Sequence, residues 1–384
     1  MTLYGDDQTG AGLPGSPDSN AQSSPPPRSR RAVAGWLSLA IAFVVLGVLA
    51  LSPAPYVIQQ PGPVFNVLGE TETEDSPEPL ISISGTETYD VGETLDMLTV
   101  SVVGNPEQSP NWFQIALAWF SRSEAVVPMS LYFPEGTTAE ERDEQTQVMM
   151  VNSQQDAVAA ALTELDVDFT SSLIVGDIVD RSPADGVLKV GDEIVKAGGT
   201  EIADVAELRD VIAAHGGDGP LSMTVVRDGQ RVDLEVTPTE AEYSDGSTAY
   251  VVGVQTTETY DFPFDVSIKL NDVGGPSAGM MFALGIIDKL TPGALPGDAS
   301  VAGTGTIDAE GDVGPIGGIR QKLYGASNAG ADYFLAPADN CDEVVGHVPD
   351  GLEVFKVATL DDSLAVLDTL RDGGDTSSLP SCSP

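Results

Sequence analysis

Two cysteines and two histidines are all that 384 residues hold of the softer metal ligands. Neither HExxH nor a paired CxxC occurs, so the familiar zinc sites cannot be assembled and no metal is expected. Basic residues are scarce as well: 17 Lys and Arg stand against 59 Asp and Glu, a formal charge of −42. A field of that sign repels nucleic-acid phosphates and anionic headgroups, which removes DNA, RNA and polybasic membrane adhesion from the candidate functions. No GxxxxGKS or GxxxxGKT phosphate loop is present and no internal repeat is visible. Hydrophobic residues, at 41%, are too many for a wholly disordered acidic chain. At roughly 100–200 residues per domain the length leaves room for two or three folded domains with acidic surfaces.

One apolar run stands apart. Residues 32–51 read AVAGWLSLAIAFVVLGVLAL, uncharged and close to the ~20 residues a spanning helix needs. The run exceeds the ~7–15 residues of a signal-peptide core, so an uncleaved membrane anchor is expected. Arg28, Arg30 and Arg31 precede it and no Lys or Arg follows for a long stretch. The positive-inside rule then puts the N-terminus in the cytoplasm and the remainder outside, in a single-pass protein of the cell membrane. Residues 1–31 are rich in Gly, Ser, Pro and Asp without hydrophobic periodicity and read as a disordered cytoplasmic tail. Asp6, Asp7 and Asp18 balance the three arginines there, so the whole negative charge falls on the exterior part, where it serves solubility and self-repulsion.

Residues 52–166 open with an extended connector carrying Pro53, Pro55, Pro61 and Pro63. Strands are expected near Pro79–Ser84 and Met97–Val103. In NWFQIALAWF the residues Trp112, Ile115, Ala116 and Trp119 share a helical face, which reads as core or oligomer interface ahead of a membrane-lying or substrate-gripping lip. Thr137 to Leu165 reads as a long helix, with Glu140 and Glu141 in its first turn and Met149, Met150, Val158 and Leu162 further on.

From residue 167 to 240 short strands and tight turns take over. LIVGDIVDRSPADGVLKVGDEIVKAGG, a helix near Val205–Ala214 and a strand pair turning at Asp228-Gly229 closely resemble a PDZ domain of the bacterial protease type. That resemblance implies a groove for an extended peptide ligand, with the carboxylate-holding loop near Phe169–Ser172. The usual Gly-aromatic signature is missing at that point, and a packing role stands beside peptide binding.

The chemistry lies in residues 241–372. GGPSAGMMFALGIIDKL places Pro276 in the first turn of a buried helix and Ser277 at its N-terminus. Unpaired N–H groups around Gly274, Gly275, Pro276 and Ser277 suit an oxyanion, although a Gly-Pro-Ser cap read alone is commonly structural. Further on, VAGTGTIDAEGDVGPIGGIRQKLYGASNAGADYFLAP reads as strand, glycine turns, a helix near Ile319–Asn328 and a strand. Ile319, Leu323 and Ala326 share a face, and Lys322 starts from its buried side. A buried amine loses its charge more easily and can serve as a base, whereas an isolated lysine commonly snorkels to solvent.

Together these segments resemble the proteolytic domain of Lon. With the anchor and the PDZ module, the chain resembles membrane-anchored Lon-like PDZ proteases of the YlbL type. The resemblance implies an α+β protein: a single transmembrane helix, a PDZ domain (a small β-barrel or sandwich with helices) and a Lon-type α/β proteolytic domain, followed by a flexible tail over residues 373–384. It also implies a Ser–Lys dyad of Ser277 and Lys322, oriented by Thr304, and a homo-oligomeric ring, often a hexamer. The region 52–166 is expected to belong to the Lon-like fold, with the PDZ module inserted. Gly274 stands where Lon proper has an acidic residue, so gating by that carboxylate does not carry over.

The activity so implied is that of an ATP-independent, membrane-integral serine endopeptidase without cofactor, acting on flexible or unfolded exterior polypeptides. The alternative is an inactive membrane-tethered PDZ/Lon-like scaffold. A Ser-His-Asp site would need His215 or His347, and each lies in a Gly-rich turn without a nucleophile motif. Cys341 and Cys382, both exterior, permit a disulfide that would pin the tail; the other reading is a packed Cys341 and an unpaired Cys382.

Overall fold

The computed structural model describes residues 30–72, 77–92, 94–134, 136–242, 246–270 and 273–382. Most of the expected tail 1–31, with Asp6, Asp7, Asp18 and Arg28, lies outside the described residues. Two compact units divide the chain after Ser52. In the first, α1 (Arg30–Leu51) has 22 residues. Its segment Val33–Leu51 is apolar and long enough to cross a membrane, and none of it is buried in protein.

The second unit begins with β1 (Tyr56–Asn66), β2 (Leu95–Val103), α2 (Trp112–Ala118), β3 (Ala125–Pro128), the single turn α3 (Met129–Tyr132) and α4 (Ala139–Glu164). The middle of the chain contributes β4 (Thr170–Ile178), β5 (Glu193–Ala197), α5 (Val205–His215), β6 (Leu221–Arg227), β7 (Gln230–Val236) and β8 (Val254–Asp261). The last part holds α6 (Gly279–Leu290), β9 (Val301–Gly303), α7 (Ile319–Ala329), β10 (Tyr333–Pro337), β11 (Glu353–Val357) and α8 (Leu360–Arg371).

One mixed sheet, in the order β11-β10-β9-β2-β1-β3, organises the protease-like body. Strands β11, β10, β9 and β2 run parallel, and β1 joins β2 and β3 antiparallel. Side chains on these strands alternate between two cores, as the period of two requires. Leu335, Phe355 and Val357 join the core of α4, α6 and α8, whereas Phe334, Ala336 and Val354 pack with Ile319 and Leu323 of α7. Helix α6 is buried from Gly279 to Asp288, which explains a sequence apolar nearly all round. Each large side chain so buried contributes about 1.5–3 kcal/mol. Helix α4 starts on a capping box, Thr138 with Glu141, and buries Met150, Val158 and Leu162.

The aromatic stripe divides differently from its sequence reading. Ile115 is buried and Trp112 packs edge-on to Tyr56, with ring centroids 5.8 Å apart, but Trp119 is exposed. Trp119 is the C-cap, its N–H still bonded to the Ile115 carbonyl, and the N–H of Phe120 closes the end of the helix on Leu117.

The PDZ strands form an antiparallel sheet in the order β7-β6-β5-β4-β8 around Leu173, Val175, Ile194, Leu221 and Val225. Strand β8 pairs with β4 from Val254–Ile178 to Asp261–Thr170, so the sheet extends past residue 240 and the boundary read from the sequence cuts through it. The tail is also more tied down than expected. Cys341 and Cys382 are disulfide-bonded, Ser381 bridges Phe355, and the Lys356 N–H donates to the Pro380 carbonyl.

Candidate active site

Three elements meet where the parallel strand β9 ends. Ser277 precedes α6, Thr304 follows β9, and Lys322 comes from the first turns of α7. Lys322 Nζ lies 2.7 Å from Ser277 Oγ and 2.8 Å from Thr304 Oγ1, and Thr304 Oγ1 donates to the Ser277 carbonyl at 2.8 Å. The lysine is 2% exposed, and desolvation alone brings its pKa down from the ordinary amine range to about 7. Among the described residues no carboxylate forms an ion pair with it.

Helix α6 begins later than GGPSAG suggests. Its first residue is Gly279 and Ala278 is the N-cap, so Pro276 lies in the turn ahead of the helix and Ser277 two positions before it. The cause is the Ser277 carbonyl, which accepts from the Gly305 N–H at 3.0 Å as well as from Thr304 and is thereby turned out of the helical ladder.

The loop before Ser277 is held by α4. The Gly275 N–H donates to the Thr146 carbonyl at 2.8 Å, Ser153 Oγ to the Pro276 carbonyl at 2.9 Å, and Gln147 Nε2 to the Val273 carbonyl at 3.4 Å. Glycine is needed twice here. A Cβ on Gly274 would come within 2.5 Å of Thr146 Oγ1, and Gly275 adopts a φ of +91°. The same bonds correct the expected oxyanion group: Pro276 has no N–H and that of Gly275 is committed to Thr146, whereas the Ser277 N–H has no acceptor among the described residues. Ser153 and Thr146 were not singled out from the sequence, since nothing local links the 139–164 helix to a loop more than a hundred residues away.

A cleft of about 1160 Å³ opens onto Ser277 and Lys322, lined by Thr99 to Val103 of β2 and by Tyr132, Arg142 and Thr146. Strand β2 pairs with β1 along its length but with β9 only at Leu95–Met97. Its stretch 98–103 therefore presents one edge unpaired by any described strand. Neither His215 nor His347 lines this cleft. Among the described residues no group of three or more His, Cys, Asp or Glu is arranged to hold a metal ion.

The PDZ groove differs from its sequence reading. Strand β4, which follows Phe169, is flanked by β5 and β8, so the edges of the sheet belong to β7 and β8, and β8 is the one next to β4. On β8 Glu258 accepts the Val205 N–H at the start of α5, at 2.9 Å, while Tyr250, on the preceding strand Thr248–Val251, lies against Gly216 and Gly217 at the end of α5. Tyr260 Oη donates to Glu258 at 2.7 Å and approaches Asp156 of α4 at 3.3 Å, joining the PDZ sheet to the helix that holds the Ser277 loop. Burial, against the opposing pull of the Tyr260 hydroxyl and reinforced by Glu258, Asp308 and Glu310, raises the Asp156 carboxyl to about 6.

Residues 269–369 match the Lon protease (S16) C-terminal proteolytic domain, and residues 137–237 match the PDZ domain. The chain is 42% identical over 94 residues to Lon protease 1 of Sorangium cellulosum (strain So ce56), covering 24% of this chain and 11% of that protein. It is 35% identical over 140 residues to Lon protease of Azospirillum brasilense, covering 35% and 17% respectively. It thus spans under a fifth of the length of either relative. The PDZ domain of an SdrC-like protein from Listeria monocytogenes aligns at 20% identity over 22% of this chain and 85% of that structure, with a TM-score of 0.20. The PDZ match begins two residues before α4 and takes in that helix, whose apolar face packs in the core of α6. Residues 269–369, with Ser277, Thr304 and Lys322 among them, are a Lon-type (S16) C-terminal proteolytic domain, carried in one chain with a PDZ domain.

Proposed function

We propose that this chain is a membrane-anchored, ATP-independent serine endopeptidase that cleaves flexible or unfolded polypeptides with a Ser277–Lys322 dyad. The observation that carries the reading is a buried lysine, without an anionic partner among the described residues, whose Nζ is 2.7 Å from a hydroxyl at the floor of an open cleft. Structural lysines are solvated or paired; this one is held near neutrality beside a nucleophile.

As Ser277 Oγ bonds to the scissile carbonyl carbon, neutral Lys322 Nζ accepts the hydroxyl proton. The Ser277 N–H, without an acceptor among the described residues, is the donor left for the carbonyl oxygen, where negative charge gathers. The tetrahedral adduct collapses, the C–N bond breaks and the proton passes from Lys322 to the leaving amine. Water then attacks the acyl carbon, Lys322 accepts its proton and returns it to Ser277 Oγ, and the second product leaves as a carboxylic acid.

An extended substrate fits the unpaired edge of β2 at 98–103, where backbone hydrogen bonds give affinity with little regard to sequence. The sequence has no phosphate loop to power unfolding, which favours substrates already flexible. The open edge of β8 beside α5 offers a place for a peptide ligand of the PDZ domain. The helix Val33–Leu51 and the arginines before it support a single-pass anchor with the catalytic domain outside the cell, and the Lon resemblance supports a homo-oligomeric ring.

The test is cleavage of an unstructured protein by the purified full chain in detergent, without ATP. Fragments are expected with the wild type, and Ser277→Ala should reduce their rate more than about 1000-fold. Equal cleavage by both proteins would overturn the reading.

A further inference from the structure

Helices α2 and α3 leave an apolar surface uncovered. Phe113 is 43% exposed, Leu117 57%, Trp119 64%, Phe120 89% and Leu131 of α3 72%. Ile115 and Ala118 pack on Ala54 and Ile58, so Phe113, Leu117 and Phe120 share the side of α2 turned from that core, with Trp119 just beyond the last residue of the helix and Leu131 on α3. Large aromatic and aliphatic side chains exposed together mark a contact surface.

Two observations say what covers it. The first is position along the chain. Pro53 bridges Asn111 at the start of α2, the Ala54 N–H donates to the Pro110 carbonyl at 2.8 Å, and the Met129 N–H of α3 donates to the Pro55 carbonyl at 3.1 Å. Both elements are thus fastened to residues 53–55, which begin two residues after Leu51, the last residue of the apolar helix. The second is charge. In a chain with 59 acidic residues, the stretch between Glu107 and Glu124 contains none, and its one charge is the exposed Arg122. An acid-free aromatic surface beside a basic residue is complementary to phospholipid headgroups and the acyl carbons below them, which repel the rest of this chain's surface.

We propose that the surface formed by Phe113, Leu117, Trp119, Phe120 and Leu131 rests in the interfacial layer of the lipid bilayer, as a second hold in addition to the spanning helix. This rests on the anchored reading above. It restrains the catalytic domain at the bilayer, where flexible segments emerging at the membrane are within reach. Trp119 and Phe120 suit that layer, because an indole sits at headgroup depth with its N–H hydrated while a phenyl ring enters the acyl region.

The test uses the full chain in vesicles of phosphatidylcholine and phosphatidylglycerol whose acyl chains are brominated, which quenches tryptophan on contact. The chain has three tryptophans, Trp36, Trp112 and Trp119. One variant, Trp36→Phe with Trp112→Phe, keeps Trp119 alone; a second, Trp112→Phe with Trp119→Phe, keeps Trp36. The proposal expects Trp119 emission to fall at least about two-fold in brominated relative to ordinary lipid. It expects that quenching to vanish in Leu117→Glu/Phe120→Glu, while Trp36 stays quenched in the same background. Quenching of Trp36 without quenching of Trp119 overturns the proposal and leaves the anchor standing. Quenching of neither overturns the anchor and the proposal together. A Trp119 blue shift that grows with protein-to-lipid ratio, without bromine quenching, assigns the surface to a second copy of the chain and also overturns it.

Discussion

Thr304 Oγ1 gives its proton to the Ser277 carbonyl and its lone pairs to Lys322 Nζ, both at 2.8 Å. One hydroxyl thereby fixes the main chain of the nucleophile and the direction of the base. A neutral amine that donates one N–H to Thr304 has its own lone pair free to turn toward Ser277 Oγ.

Thr304→Ala should therefore lower kcat by about 10–100-fold, because it removes orientation and leaves the proton-accepting atom in place. Thr304→Ser keeps the hydroxyl and should retain most of the activity. Steady-state kinetics on an unstructured protein would check both, and equal losses in the two variants would count against the orienting role.

Ser153 acts at one remove. It is buried, and its Oγ supplies the Pro276 carbonyl with a donor at 2.9 Å. Ser153→Ala removes the shorter of two hydrogen bonds to that carbonyl and leaves the one from the Gly279 N–H at 3.3 Å, at a cost of about 0.5–1.5 kcal/mol. The expected result is a kcat lower by about 10-fold with KM little changed and the pH midpoint of activity unmoved, since Lys322 keeps its surroundings. A shifted midpoint would mean that Ser153 acts on the base instead.

Asp156 should be a stability switch. Its carboxyl is raised to about 6, first by burial, so the native state binds more protons than the unfolded chain between about pH 4 and 6. Stability is thus lost as pH rises through that window. The group is partly exposed and screened, so about 1 kcal/mol is expected above the window. Asp156→Asn keeps an acceptor for Tyr260 and should raise the unfolding temperature at about pH 7.5 but not at about pH 4. A stabilisation equal at both values would point to packing.

The Cys341–Cys382 bond spans 41 residues and joins the end of the chain to the segment after β10. In the chain-entropy model such a loop is worth about 4 kcal/mol. Cys341→Ser with Cys382→Ser should lower thermal stability with little effect on kcat, because neither residue lines the Ser277 cleft. Protease susceptibility of the C-terminal segment, followed by mass spectrometry, would report the loss.

The site was legible where chemistry and local periodicity coincide. Lys322 sits on the apolar face of a helix that also carries Ile319 and Leu323, and GGPSAG announces a backbone turn before a buried helix, but each pattern read alone is commonly structural, and it is the resemblance to the Lon proteolytic domain that pairs Ser277 with Lys322. What escaped depends on contacts distant in sequence. The Ser277 carbonyl bends away because of Gly305, the loop is held by Thr146 and Ser153, and β4 is covered on its outer side because Val254–Asp261 pairs back onto it. The alternating burial of β8 is local, but its partner is not.

The central claim is that Lys322 is the base for Ser277, and the most direct measurement is kcat/KM against pH for the wild type, with Lys322→Arg assayed alongside. The base form is the neutral amine, so activity should rise with pH through a single midpoint near the lysine pKa of about 7 and fall away in acid. Lys322→Arg keeps a positive charge but has no neutral form at these pH values, and should be as inactive as Ser277→Ala while remaining folded. Near-normal cleavage by Lys322→Arg, with the wild-type pH profile intact, would contradict the dyad.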